Sequence, residues 1–143
     1  MADDPGKYLV FRLGDRCCAF SLEQVAEVIE PPTVWPVPCA PRCYTGAMNF
    51  HGTIVAVIDL PCFLGQAGSV PGEKVIVLAP AVAALAFQVD RVVRITPAEF
   101  TPRQDAAPSD PFATGSLSLA EGEVIVLDAC RLAALAGEAA ACR

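Results

Sequence analysis

The sequence predicts a mainly β fold built from two similar modules, and three observations lead there. The chain repeats itself: Leu9–Ile29 (LVFRLGDRCCAFSLEQVAEVI) is echoed by Ile76–Ile95 (IVLAPAVAALAFQVDRVVRI), with Phe20 answering Phe87 and Val25 answering Val92. A second block, Thr45–Gly65, is echoed from Thr114 onward, with Gly46 answering Gly115 and Asp59 answering Asp128. Two blocks in the same order at an offset of about 67–69 residues indicate a duplication, with two β modules packed against each other. Next, short apolar runs separated by proline and glycine favour small barrels over a parallel sheet with crossover helices. Finally, the only helical patterns are short and trail the strands.

The elements follow in chain order. Residues 7–13 (KYLVFRL) and 16–21 (RCCAFS) are rich in β-formers, and Gly14-Asp15 between them supplies turn chemistry, so an opening hairpin is expected. Leu22–Val25 reads as one helical turn, with Ser21 as its N-cap and Gln24 three residues on. Ala26–Glu30 runs extended. Five prolines between Pro31 and Pro41 forbid regular structure there, and Trp35 among them is expected to cover a core edge. Thr53–Leu60 is an apolar strand, followed by a short helix, Pro61–Leu64, that Gly65 ends. Residues 66–72 (QAGSVPG) form the best internal boundary. Lys74–Ala79 and Ala83–Val89 make a second hairpin, and Arg91–Thr96 another strand. Thr101–Pro111 reads as a long loop and Gly122–Leu127 as the last strand. Asp128 then caps a helix through about Leu135, with Gly137 as its stop; Asp59, its counterpart, is expected to cap the earlier helix in the same way.

A chain of 143 residues is long enough for one globular unit that buries about two-thirds of its unfolded surface. Hydrophobic residues make up 54% and charged residues 18%, which excludes a disordered tail as the main content. No apolar run reaches the ~18 residues of a membrane span, so no direct membrane insertion is expected. The start, MADDPGKY, lacks the basic and apolar regions of a signal peptide, and a cytoplasmic protein is expected. A formal charge of −6 argues against nucleic-acid binding, which needs a basic face.

Catalytic equipment is absent from the pattern. There is one histidine, His51, and no phosphate-cradling, dinucleotide or nucleophile-elbow motif. Asp59 and Asp90 could be drawn as an acid–base pair, but the duplication of Asp59 as Asp128 favours a structural role. Neither an enzyme nor a cofactor is expected. Seven cysteines, an odd number without an export signal, argue against a disulfide framework and for reduced thiols that fill small spaces. A zinc site from Cys39, Cys43, Cys62 and His51 matches no familiar ligand spacing, so no metal site is expected. Cys17 and Cys18 are adjacent on a strand and point to opposite faces, which places one of them in the core.

Four blocks, LVFRLGDRCCAFSLEQVAEVI, GAMNFHGTIVAVIDL, VIVL…ALAFQVDRV and TGSLSLAEGEVIVLDACRLAAL, together resemble the CheW-like coupling proteins of chemotaxis over about residues 7–136. The resemblance implies one CheW-like domain over 1–143 made of two SH3-like five-stranded barrels, with short helices and a C-terminal helix. Its subdomains would span about 7–65 and 74–136, with strands exchanged between them. It implies an adaptor that binds a chemoreceptor's cytoplasmic tip and the regulatory domain of a CheA-type histidine kinase. Receptor contact would fall on Val25 and Glu27, and on Gly46, Asn49, His51 and Gly52. Apart from the resemblance, kinase contact is expected at Val89, Asp90 and Val93, with core packing as the equal reading for the two valines and a turn as the alternative to a rim contact for Asp90. Core packing for Val25, turn geometry for the two glycines and a self-bonded turn for Asn49 are the structural alternatives. His51 stands where the family usually has arginine, and Ala56 where it commonly has proline. Alternative functions are a kinase-binding scaffold or inhibitor without receptor contact, and a cysteine-based thiol or metal sensor.

Overall fold

The duplication reappears strand for strand. The computed structural model describes residues 6–36, 43–65, 72–97, 101–102, 112–120 and 122–141, the backbone alone at 101–102 and 137–141. The first half contributes β1 (Lys7–Leu13), β2 (Arg16–Ser21), a 3-10 turn (Leu22–Gln24), β3 (Val25–Ile29), β4 (Tyr44–Phe50), β5 (Thr53–Asp59) and α1 (Leu60–Phe63). The second contributes β6 (Lys74–Leu78), β7 (Leu85–Val89), β8 (Arg91–Pro97), β9 (Thr101–Pro102), β10 (Ala113–Leu119), β11 (Gly122–Leu127) and α2 (Ala129–Ala141).

Neither sheet is built from one half alone. One runs β8-β1-β2-β11-β10-β9 and the other β3-β6-β7-β5-β4. Each half therefore lends strands to the sheet of the other. The irregularities are duplicated too: the β4–β5 ladder shifts register between Tyr44 and Gly46, and the β10–β11 ladder between Ala113 and Gly115. A two-residue strand, β9, pairs Thr101 with Ser116, and its counterpart is a single bridge between Trp35 and Ala47. In both places the chain leaves one edge strand and ties itself to the opposite edge. This stitches each sheet into a barrel and removes bare edges.

Side-chain alternation explains the near-continuous apolar runs of the central strands. In β1 and β2, Leu9, Phe11, Leu13, Cys18 and Phe20 face a core shared by both sheets, whereas Val10 and Ala19 face a small core with Leu117, Val124 and Val126. In β6 and β7, Ile76, Leu78, Phe87 and Val89 face the shared core, whereas Val75, Val77 and Ala86 join Met48, Val55 and Val57 in a third cluster. The bulky rings gather in the shared core, with Phe20 and Phe87 at 6.0 Å between centroids. Val and Ala fill the narrow interiors. Strands buried on both faces lose the usual alternation of apolar and polar residues.

Several expectations are corrected. No strand was expected over Tyr44–Phe50 or Ala113–Leu119, whose glycine, serine and asparagine weaken the strand signal. The loop expected over Thr101–Pro111 opens with β9; the rest of it lies outside the described residues, as do most of 66–72 and the prolines beyond Pro36. Trp35 does not cover a core edge: it is 57% exposed, and its backbone rather than its ring holds it. Ser21 makes no side-chain cap. Gln24 turns instead to α2, where its Oε1 accepts from the Ala129 amide at 3.3 Å. Helix α2 runs through Gly137 to Ala141 because flanking alanines offset the single glycine. Cys18 is buried and Cys17 half-buried, as their opposite faces require, but Cys43 and Cys62 form a disulfide instead of remaining thiols. Their Cα atoms lie 5.5 Å apart, within bridging reach, which cysteine counting could not reveal.

Candidate functional site

The surface to which the sequence points lies where β3 meets the tip of the β4–β5 hairpin. Phe50 and Thr53 are the last paired residues of the hairpin, so His51 and Gly52 form a two-residue turn. Their φ angles of 51° and 87° are both positive, as a type I′ turn requires. Gly52 adopts this at no steric cost, and histidine is among the residues enriched there. The Asn49 Oδ1 accepts from the Gly52 amide at 2.8 Å and locks the turn. The His51 ring stands edge-on to Phe50, with centroids 4.3 Å apart.

β3 and β4 are opposite edges of their sheet, yet His51 Nε2 comes within 3.6 Å of Glu27 Oε1. Only a sheet curled into a barrel brings them together. Both side chains are exposed, and the attraction requires a protonated histidine. Glu27, Asn49, His51 and Gly52 therefore form one exposed cluster at the barrel seam.

Gly46 and Val25 are placed differently. Gly46 lies inside the seam, where Trp35 and Ala47 exchange two backbone hydrogen bonds of 2.8 Å. A Cβ on Gly46 would fall 2.6 Å from the Trp35 carbonyl oxygen, so no side chain fits. Val25 is half-buried and packs against the shared core. Ala56 lies within the sheet and donates its amide to the Ala84 carbonyl at 3.3 Å; a proline would lose that bond.

The residues expected to meet the kinase do not form a patch. Val89 is fully buried in the shared core and has no surface to offer a partner. Asp90 turns the chain between β7 and β8: its carboxylate accepts from the Gly14 amide and its own amide donates to the Arg12 carbonyl at 3.2 Å. Val93 is the extra residue of the β1–β8 bulge and packs against the small core of its sheet.

Apolar surface near the hairpin escaped the sequence reading. Ile54 is 66% exposed, but it sits in the run TIVAVID, which looks uniformly buried in one dimension. A cavity of about 230 Å³ opens between the hairpin and the β6–β7 connection, lined by Phe50, Thr53, Val55, Val77, Pro80 and Ala83 among others. Thr53 and Val55 line this cavity, so Ile54 between them faces the other side of β5 with its partner Asn49, and the hairpin offers apolar surface on both faces.

No described helix is long and apolar enough to cross a membrane. No curated relative matches the chain in sequence. The structure is similar to that of the scaffolding protein TtCheW from Thermoanaerobacter tengcongensis, with a TM-score of 0.76 at 21% identity, covering 86% of this chain and 88% of that one. The family model of the CheW-like domain matches residues 7–136. With the interleaved sheets and the duplicated bulges, that match over nearly the full length places this chain in the CheW-like domain family.

Proposed function

We propose that this protein is a non-enzymatic adaptor that couples chemoreceptors to a CheA-type histidine kinase in a chemosensory pathway. The observation that carries the reading is the seam cluster: Glu27 on β3 meets His51 on the β4–β5 turn, beside an apolar cavity lined by Phe50, Thr53 and Val77. Family membership supplies the scaffold class. A receptor's helical tip would lay apolar side chains against this face while Glu27, Asn49 and His51 set its register. The kinase's regulatory domain, itself CheW-like, would take another barrel surface. Binding at each surface is of moderate strength, because assemblies of linked copies gain avidity from many weak contacts.

The test is a parallel binding measurement of the purified protein against a kinase regulatory domain and a receptor cytoplasmic hairpin. Coupling requires both to bind, and Glu27→Lys should weaken the receptor arm alone. His51 favours a second reading, a kinase-binding scaffold or inhibitor without receptor contact. A histidine there lacks the permanent charge and forked donor of the family's usual arginine. Binding to the kinase alone would select it.

A further inference from the structure

The Cys43–Cys62 disulfide closes the open end of the hairpin whose other end carries the seam cluster. Cys43 immediately precedes β4, and Cys62 lies in α1, which immediately follows β5. The same corner also holds a backbone bond from the Asp59 amide to the Cys43 carbonyl at 2.8 Å, and the neighbouring Tyr44 hydroxyl donates to the Ala136 carbonyl at 3.0 Å. Cys43 sits at φ 81°, a conformation that a residue with a Cβ rarely adopts. α1 is only four residues long, so little secondary structure holds Cys62 in place without the bond. Both cysteines are half-buried, which leaves the disulfide within reach of an attacking thiolate.

We propose that Cys43–Cys62 is a redox-controlled clamp that sets the rigidity of the β4–β5 hairpin. The reductant is a dithiol, of the small-molecule or protein class. One of its thiolates attacks a sulfur of the disulfide, forms a mixed disulfide and displaces the other cysteine as a thiolate. Its second thiol then resolves the mixed disulfide. Two electrons pass to the protein, Cys43 and Cys62 end as thiols, and the reductant ends as a disulfide. In a thiol-rich compartment the clamp stands open; it closes by the reverse exchange with a small-molecule disulfide. One cysteine thiolate displaces a thiol to form a mixed disulfide, the second cysteine displaces the other thiol, and the two electrons leave with the two thiols released. Closed, it holds the start of β4 against α1; open, it frees Cys43 from its positive φ and lets the hairpin fray from its base.

Hydrogen exchange of the whole protein tests this in three states: oxidised, reduced with dithiothreitol, and the Cys43→Ser/Cys62→Ser variant. A non-reducing digest of the oxidised state should contain the Cys43 and Cys62 peptides joined. Amides of β4 and β5 should exchange about tenfold or more faster once the bond is cut, and by a larger factor than those of the β1–β2 hairpin, which report only the global loss of stability. The double variant should match the reduced protein and ignore dithiothreitol. Absence of the joined peptide, or equal exchange in oxidised and reduced states, would overturn the proposal. The clamp stands apart from the coupling reading: these measurements involve no partner, and failure to bind a receptor would leave them untouched.

Discussion

The chain turns the same corner twice and fastens it in two different ways. At the end of β5 the Asp59 amide donates to the Cys43 carbonyl at 2.8 Å, and at the end of β11 the Asp128 amide donates to the Phe112 carbonyl at 2.9 Å. The backbone bond survives duplication; the side chains around it do not. The second corner leads into α2, thirteen residues long, which buries Leu132, Ala133 and Ala136 in the shared core. There Asp128 Oδ1 accepts from the amides of Cys130 and Arg131 at 3.0 and 3.3 Å, a working N-cap. The first corner leads into four residues of α1, and Asp59 makes no cap. Pro61 lacks one of the two amides that a cap can bind, and the buried Asp59 Oδ1 has no hydrogen-bond partner. A covalent bond into a one-turn helix stands where the other corner has a helix of thirteen residues.

In the shared core the two halves should be equal. Phe20 and Phe87 are equivalent by duplication and fully buried. Phe20→Ala and Phe87→Ala should each cost about 3–5 kcal/mol. Because the rings pack 6.0 Å apart, the double substitution should cost less than the sum. Denaturant titration of the four proteins reads both quantities, and strict additivity would show that the halves do not share one core.

The corners themselves should differ. Cys43→Ser/Cys62→Ser should lower the stability of the oxidised protein by about 2–4 kcal/mol, the usual effect of opening a loop of this size. Asp128→Ala should cost about 0.5–2 kcal/mol through the lost cap. Asp59→Asn should act in the opposite direction. Burial, and after it the nearby Asp90 carboxylate, raises the Asp59 pKa above its ordinary value of 3.8. A carboxyl whose folded pKa is raised binds its proton more tightly in the folded state, so its ionised form penalises folding. The penalty is complete above the folded pKa and disappears as pH falls to the unfolded value. Asp59→Asn should therefore stabilise the protein at pH 7, and the gain should vanish near pH 4. A gain that persisted at low pH would show that charge is not its source.

How much of this was legible follows from dimensionality. The strands β1, β2, β5, β6, β7 and β11 announce themselves because their apolar runs feed two cores at once. β4 and β10 do not, because each has few buried positions among its glycine, threonine, serine and asparagine residues. Asn49 and Gly52 were readable as turn residues from their chemistry alone. That Glu27 meets His51 was not readable from the residues themselves, because it depends on a sheet curling until opposite edges touch. The disulfide was hidden for a different reason. Counting cysteines weighs compartment and parity, whereas pairing depends on which two Cα atoms the fold brings close.

The smallest expected effect sits at the seam, and it bears most directly on the proposed coupling. His51 occupies a position with φ 51° and faces Glu27 across 3.6 Å. An arginine there would carry a permanent charge and a fork of donors, one side able to hold Glu27 and the other free for a partner's carbonyl or carboxylate. It would also meet a backbone conformation that histidine tolerates better. An exposed ion pair contributes about 0–1 kcal/mol, so the gain is bounded. His51→Arg should tighten binding to a receptor hairpin by about two- to fivefold, with affinity for the kinase regulatory domain unchanged. Because the gain is electrostatic, it should shrink as salt is raised. Isothermal titration at two salt concentrations decides the matter. A gain in both arms would mean a change in the barrel as a whole, and no gain in either would mean that the receptor does not read this turn.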